Sequence, residues 1–123
     1  MNKVLAVGLG SAFGGVARYG LGVVLAGVQP AGLPLATFLV NLTGSAAFGY
    51  LFGLQHTRDL APPVYLGLTT GFLGGFTTYS TFNAELLSLA LGNQWAAFAG
   101  YVLLTLAACF AGGWLGFWAA TSV

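Results

Sequence analysis

Four long apolar stretches separated by short polar segments dominate the hydrophobic pattern of this chain. They cover residues 3–27, 34–54, 62–91 and 95–119. Each is at least as long as the ~20 residues that an α-helix needs to cross a lipid bilayer. The pattern therefore predicts an all-α membrane protein, in which residues 1–123 form a single domain of four transmembrane helices.

The polar segments between the stretches are short enough to act as simple turns. Residues 28–32 and 92–94 carry turn-forming residue types, and residues 55–59 carry most of the charge that suits solvent. Short connections predict that consecutive helices are antiparallel neighbours. Pro34 and Pro62 suit the starts of the second and third helices, where a missing N–H costs little.

The composition leaves almost nothing for an aqueous domain, since 58% of residues are hydrophobic and 4% are charged. The net charge of +1 gives no electrostatic footprint for nucleic acid, so the lipid bilayer is the expected surrounding. Lys3 and Arg58 lie on one side of the predicted bundle and Arg18 lies toward the other. This weak bias leaves insertion in both orientations open.

Small residues recur at four-residue spacing in every predicted helix, an arrangement that lets helix backbones approach closely. The rows are Gly10/Gly14, Gly49/Gly53, Gly67/Gly71/Gly75 and Gly112/Gly116. They predict tight helix packing. For any single pair, the general abundance of glycine in membrane helices is an equally good explanation.

A cluster of glycines and hydroxyls at residues 71–83 interrupts the third apolar stretch. Backbone that leaves a helix inside hydrocarbon must be buried in protein or line a cavity. Channels and transporters place their sites at such breaks, because freed carbonyls bind cations while N–H groups and hydroxyls bind anions. The interruption therefore predicts that the chain moves something small across a membrane.

Two rows of polar side chains at four-residue spacing lie within the second and fourth stretches. The rows consist of Thr37, Asn41 and Ser45, and of Tyr101, Thr105 and Cys109. Positions four apart differ by only about 40° around an α-helix, so each row lies on one face. We expect the two rows to form one polar track. A hydroxyl that bonds back to its own helix is the alternative for a single threonine.

The chemistry of this track favours an anion over a cation. It offers hydroxyls, one carboxamide, one thiol and aromatic rings, but no pair of carboxylates or histidines for proton coupling. Hydroxyl and amide groups donate hydrogen bonds to an anion, and ring edges carry partial positive charge. Arg18 either snorkels or concentrates anions at a pore mouth. For Glu85 an end cap, a partner for Arg18 and a mobile lid all remain open.

Four patches carry a resemblance to a known family. They are residues 14–19, residues 37–45, residues 71–82 and the Tyr101/Thr105/Cys109 row. Together they cover nearly the whole chain and resemble the Fluc (CrcB) family of fluoride channels. The resemblance implies a channel rather than an enzyme, which exports fluoride passively from the cytoplasm across the cell (inner) membrane. It also implies an antiparallel, dual-topology homodimer with two pores.

The resemblance also assigns roles to single residues. It implies that the amide of Asn41 coordinates fluoride together with the ring edges of Tyr79 and Phe82, and that Arg18 is a vestibule charge and Glu85 a gate-like carboxylate. The remaining pore residues are Thr37, Ser80, Thr81, Tyr101, Thr105 and Cys109.

A structural sodium ion at the dimer centre is implied as well, held by the backbone carbonyls of Gly74 and Thr77. The chain departs from the family pattern at three pore positions. Tyr79 replaces a phenylalanine, and Thr105 and Cys109 stand where the family tends to have serines. The hydroxyl of Thr105 is kept, whereas the thiol of Cys109 is a weaker donor.

Two rival functions come from other classes. A small four-helix multidrug or cation exporter would share the size and the possible dual insertion, but that class depends on a carboxylate in the first helix, where this chain has Arg18. A structural subunit that transports nothing would leave the polar rows without a role.

Overall fold

The computed structural model describes residues 2–122, and all regular structure in that range is helical. Helix α1 spans Lys3–Val24, α2 spans Leu35–Arg58 and α5 spans Trp95–Thr121. These three helices are long and apolar enough to cross a membrane. The predicted all-α class is therefore confirmed for residues 2–122.

The third apolar stretch forms two helices rather than one. Helix α3 covers residues 62–76 and contains a π-helical segment at Gly67–Leu73, and helix α4 covers Tyr79–Leu91. Thr77 (φ −74°, ψ 157°) and Thr78 (φ −149°, ψ 113°) separate them in extended conformation. The predicted interruption is confirmed, but it is confined to two residues.

The predicted extent of this break, residues 71–83, was too wide. Gly71 and Gly75 lie inside the helical part of α3 and pack against α1, where a Cβ on Gly71 would stand 2.9 Å from the Val7 carbonyl oxygen and one on Gly75 would crowd the backbone of Ser11. These glycines therefore serve close helix contact, while the two threonines make the break.

The closest helix pairs are α1 with α3 and α2 with α5. Consecutive helices such as α1 and α2 or α4 and α5 also contact each other, as predicted, but less extensively. The glycine rows give the physical reason, because each row lies against the facing helix of the α1/α3 or the α2/α5 pair. A Cβ on Gly49 would overlap the backbone of Gly113, and a Cβ on Gly14 would overlap the backbone of Phe72. The tight packing predicted from the glycine rows is confirmed.

Candidate functional site

Asn41 on α2 holds the break through both polar atoms of its side chain. Its Nδ2 donates to the Thr78 carbonyl oxygen at 3.0 Å, and its Oδ1 accepts the Thr78 N–H at 2.8 Å. Extended backbone inside a helical membrane protein has no helical partner for these two groups. The Asn41 amide supplies both partners and ties α2 to the junction of α3 and α4.

Thr78 also begins helix α4, and this role was missed in the sequence. Its Oγ1 accepts the Thr81 N–H at 3.2 Å and donates to Thr81 Oγ1 at 3.0 Å, while Ser80 Oγ lies 3.3 Å away. The available signal was a threonine directly before an apolar helical segment, which is a preferred N-cap residue.

Glu85 on α4 joins the two polar rows. Thr37 Oγ1 donates to its Oε1 at 2.5 Å, and the Tyr101 hydroxyl donates to its Oε2 at 2.8 Å. Both carboxylate oxygens thus accept hydrogen bonds from hydroxyls instead of pairing with Arg18. Glu85 also lies beyond the first turn of α4, so it is no end cap.

The two aromatic rings of the broken segment lie side by side in different surroundings. Phe82 is 5% exposed and points its ring at that of Tyr101, with centroids 5.0 Å apart and planes at 68°. Tyr79 is 78% exposed, and its centroid lies 6.2 Å from that of Phe82. The edge-on contact fixes the Phe82 ring, while the Tyr79 ring extends outward.

A groove of about 960 Å³ runs between α2, the end of α3 and α5. It brings together residues from both polar rows with the two rings and the break. Its polar and aromatic lining includes Asn41, Ser45, Thr77, Thr78, Tyr79, Phe82, Thr105 and Cys109. Thr105 Oγ1 is buried there and has no hydrogen-bond partner within residues 2–122. A buried hydroxyl without a partner needs an explanation, and a ligand bound in the groove would supply one.

Arg18 and Thr37 lie at a second, smaller cavity of about 320 Å³. Thr78 and Thr81 complete its polar side, and Thr78 lines both cavities. The first polar row is therefore divided, with Thr37 beside Arg18 and with Asn41 and Ser45 in the groove. A fixed positive charge facing three hydroxyl-bearing residues suits an anion.

The end of α3 presents the two carbonyls that were expected to hold a cation. In an unbroken helix the Gly74 carbonyl would accept the Thr78 N–H and the Thr77 carbonyl the Thr81 N–H. Those two N–H groups donate to Asn41 Oδ1 and Thr78 Oγ1 instead. Gly74 and Thr77 both line the groove, at the negative end of a helix dipole. This arrangement fits a small cation that prefers oxygen ligands.

The family described as "CrcB-like protein, Camphor Resistance (CrcB)" matches residues 5–117. The chain is 44% identical over 121 residues to the Fluoride-specific ion channel FluC of Nitratidesulfovibrio vulgaris, with 94% of each chain covered. It is 44% identical over 104 residues to the FluC of Chloroflexus aurantiacus, with 84% of this chain and 82% of the relative covered.

A third relative is the FluC of Methanococcus aeolicus, which is 35% identical over 111 residues, with 89% of this chain and 87% of the relative covered. These relatives are named as ion channels and not as enzymes. The resemblance seen in the four sequence patches is thereby confirmed, and the chain belongs to the CrcB family.

Proposed function

We propose that this protein is a fluoride-selective channel of the cell (inner) membrane through which fluoride leaves the cytoplasm passively. One observation carries the proposal beyond family membership. Polar residues of two different helices face one groove beside the rings of Tyr79 and Phe82. Hydrogen-bond donors and positive ring edges are the groups that attract a small anion.

The proposed fluoride path begins at the smaller cavity, which Arg18 lines, and continues past Thr37, Thr81 and Ser80. Fluoride is small and strongly hydrated, so its water must be replaced by closely placed donors. Asn41 keeps one Nδ2 hydrogen that Thr78 does not use, because an amide nitrogen carries two. That hydrogen is the proposed fluoride ligand, next to the ring edge of Phe82.

The groove supplies the second half of the path. The unpartnered hydroxyl of Thr105 lies one helical turn from the Cys109 thiol on the same row. Glu85 accepts hydrogen bonds from the hydroxyls of Thr37 and Tyr101, and fluoride would compete with the carboxylate for these donors. The carboxylate then has to move aside, which gives it the proposed gate-like role.

We propose that the groove is covered by a second copy of the chain inserted in the opposite orientation. A single subunit would leave the partly exposed Asn41 and Ser45 of the groove facing lipid, where polar groups are costly. The weak Lys/Arg bias places no strong constraint on orientation. Two copies would enclose two pores and turn each groove into a narrow, dry conduit.

A sodium ion at the dimer centre would be held by the carbonyls of Gly74 and Thr77 from the two copies. The freed state of these carbonyls supports the assignment. When bound, the ion supplies a fixed positive charge that favours nearby anions. The chain's own contribution is to keep the Gly74 and Thr77 carbonyls free of the helical hydrogen bonds that would otherwise occupy them.

Purified protein in liposomes is expected to release fluoride and to retain chloride. The reason is that closely placed donors can replace the water around a small anion, whereas the narrow conduit proposed for the dimer would exclude a larger one. Efflux is followed with fluoride- and chloride-sensitive electrodes on the same vesicles, and protein-free vesicles give the background. Equal release of the two anions contradicts the proposed selectivity.

If the chain inserts in both orientations, the loop between α4 and α5 should face the outside of the cell in some copies and the cytoplasm in the others. Cys109 is the only cysteine, so Cys109→Ser with Gln94→Cys places one thiol in the loop between α4 and α5. About half of the copies should react with a membrane-impermeant maleimide added outside intact cells, and the rest only after permeabilisation, because the weak Lys/Arg bias fixes no orientation. Complete labelling, or none, before permeabilisation contradicts the dual-topology dimer. Fluoride efflux from the same variant checks that it remains functional.

A further inference from the structure

The acceptor oxygen of Asn41 has a consequence at the end of α3. The Thr78 N–H is the group that would satisfy the Gly74 carbonyl if α3 continued as an α-helix. It donates to Asn41 Oδ1 at 2.8 Å instead. The Asn41 side chain thus takes over the hydrogen bond that would otherwise occupy the Gly74 carbonyl.

The Thr77 carbonyl depends indirectly on the same clamp, that is, on the two hydrogen bonds between the Asn41 side chain and the Thr78 backbone. The Thr81 N–H donates to Thr78 Oγ1 at 3.2 Å, so it is withheld from the Thr77 carbonyl. That cap requires Thr78 to stay extended, and the two bonds from Asn41 hold it there. One side chain on α2 therefore keeps two carbonyls of the break free.

We propose that Asn41 is a positioning residue for the cation site, in addition to its place in the anion path. This inference rests on the proposed function, because it needs a cation at Gly74 and Thr77. It extends that function by coupling the two ions through one amide. The acceptor half, Oδ1, frees the cation ligand, and the donor half, Nδ2, retains a hydrogen for fluoride.

Loss of the acceptor has a defined outcome. Thr78 is 7% exposed, and a buried N–H without a partner is costly, particularly within a membrane. Its nearest alternative along the chain is the Gly74 carbonyl, which would lengthen α3 by one hydrogen bond. The Gly74 oxygen would then be shared between a proton donor and the cation, and cation affinity would fall.

The test replaces Asn41 with leucine, which has a similar shape but no acceptor. The unfolding temperature of the purified dimer is measured against NaCl concentration, with a large organic cation holding the ionic strength constant, because a bound ion stabilises the folded state by mass action. We expect the sodium affinity of Asn41→Leu to fall by roughly 10- to 100-fold, the usual effect of removing a group that orients a metal ligand.

Thr37→Val is the matched control. It is an isosteric apolar replacement in the same polar row, but its hydroxyl binds Glu85 rather than the break. Its sodium dependence should equal that of the wild type. A role of Asn41 in the anion path alone predicts that both variants keep their sodium affinity, and that result overturns the proposal.

Asn41→Asp separates the two halves of the amide. It keeps an oxygen for the Thr78 N–H and loses the donor to the Thr78 carbonyl, so sodium affinity should fall less than in Asn41→Leu while fluoride efflux is lost. Sodium binding weakened as much in Asn41→Asp as in Asn41→Leu would show that the acceptor is not the cause, and it overturns the proposal.

Failure of the inference and failure of the proposed cation site give different results. If the unfolding temperature of the wild-type protein does not depend on sodium, both the cation site and the inference are wrong, while the proposal of fluoride conduction stands. If the wild-type protein shows this sodium dependence and Asn41→Leu retains it, only the inference about Asn41 is wrong. If Asn41→Leu forms no dimer, Asn41→Ala takes its place. If neither forms one at any sodium concentration, the clamp serves the fold itself and the proposal is overturned.

Discussion

Phe82→Leu is expected to reduce fluoride efflux on the order of 10- to 100-fold, because removing one preorganised group that stabilises an anion raises its barrier by a few kcal/mol. Leucine fills much of the buried volume against Tyr101, but it has no ring edge with positive charge. Initial efflux rates from proteoliposomes at equal protein density measure the effect.

Phe13→Leu is the control for this prediction. Phe13 is 68% exposed on α1 and lines neither cavity, so the same chemical change there should leave efflux near the wild-type rate. Equal rates for wild type and Phe82→Leu, in variants that both remain folded, would remove the Phe82 ring from the conduction path.

Gly116→Ala is expected to destabilise the protein by roughly 1–3 kcal/mol, the usual cost of forcing an extra methyl group into a well-packed site. A Cβ at this position would overlap the Ala46 carbonyl oxygen and stand 2.9 Å from the Tyr50 backbone nitrogen. Backbone atoms cannot rotate out of the way as a side chain can. Helices α2 and α5 would have to separate, and equilibrium unfolding in mixed detergent measures the loss.

Gly100→Ala on the same helix is the matched control. A Cβ on Gly100 has no neighbour within 4 Å, so alanine should leave stability unchanged or raise it slightly through its better helix propensity. Comparable destabilisation at both positions would mean that general effects of alanine, and not the contact between α2 and α5, cause the loss.

The sequence predicted the helices and the polar rows because both follow from periodicity. Thr37, Asn41 and Ser45 share a face of α2 by spacing alone, and the tertiary structure only decides what that face meets. The pairing of helices was not predictable in this way. The Gly49 row shows that α2 allows close approach, but nothing local states that the helix it meets is α5, at Gly113.

The position of the break was ambiguous for a related reason. Glycine suits both a helix interruption and a tight helix contact. Gly71 and Gly75 turn out to serve contact with α1, and the interruption falls at Thr77 and Thr78. Only the packing partner distinguishes the two uses, and a partner distant in sequence leaves no local signal.

The atomic role of Asn41 was equally beyond the sequence. Spacing placed its amide on the polar face, and family resemblance directed it toward an anion. An amide has both donor and acceptor atoms, and only three-dimensional proximity shows that Thr78 uses one of each. The Thr37–Glu85–Tyr101 junction likewise joins positions 48 and 16 residues apart in the chain.

The π-helical turn at Gly67–Leu73 fixes the rotational phase of everything that follows it in α3. Bonding from residue i to i+5 accommodates what amounts to a one-residue insertion in an α-helix. If the same residues formed an ordinary α-helix without the wider turn, the downstream backbone would be rotated by about 100° and the Gly74 carbonyl would leave the groove. The wider turn therefore aims the end of α3 at the groove, while Gly67 and Gly71 within the same segment keep α3 close to α1.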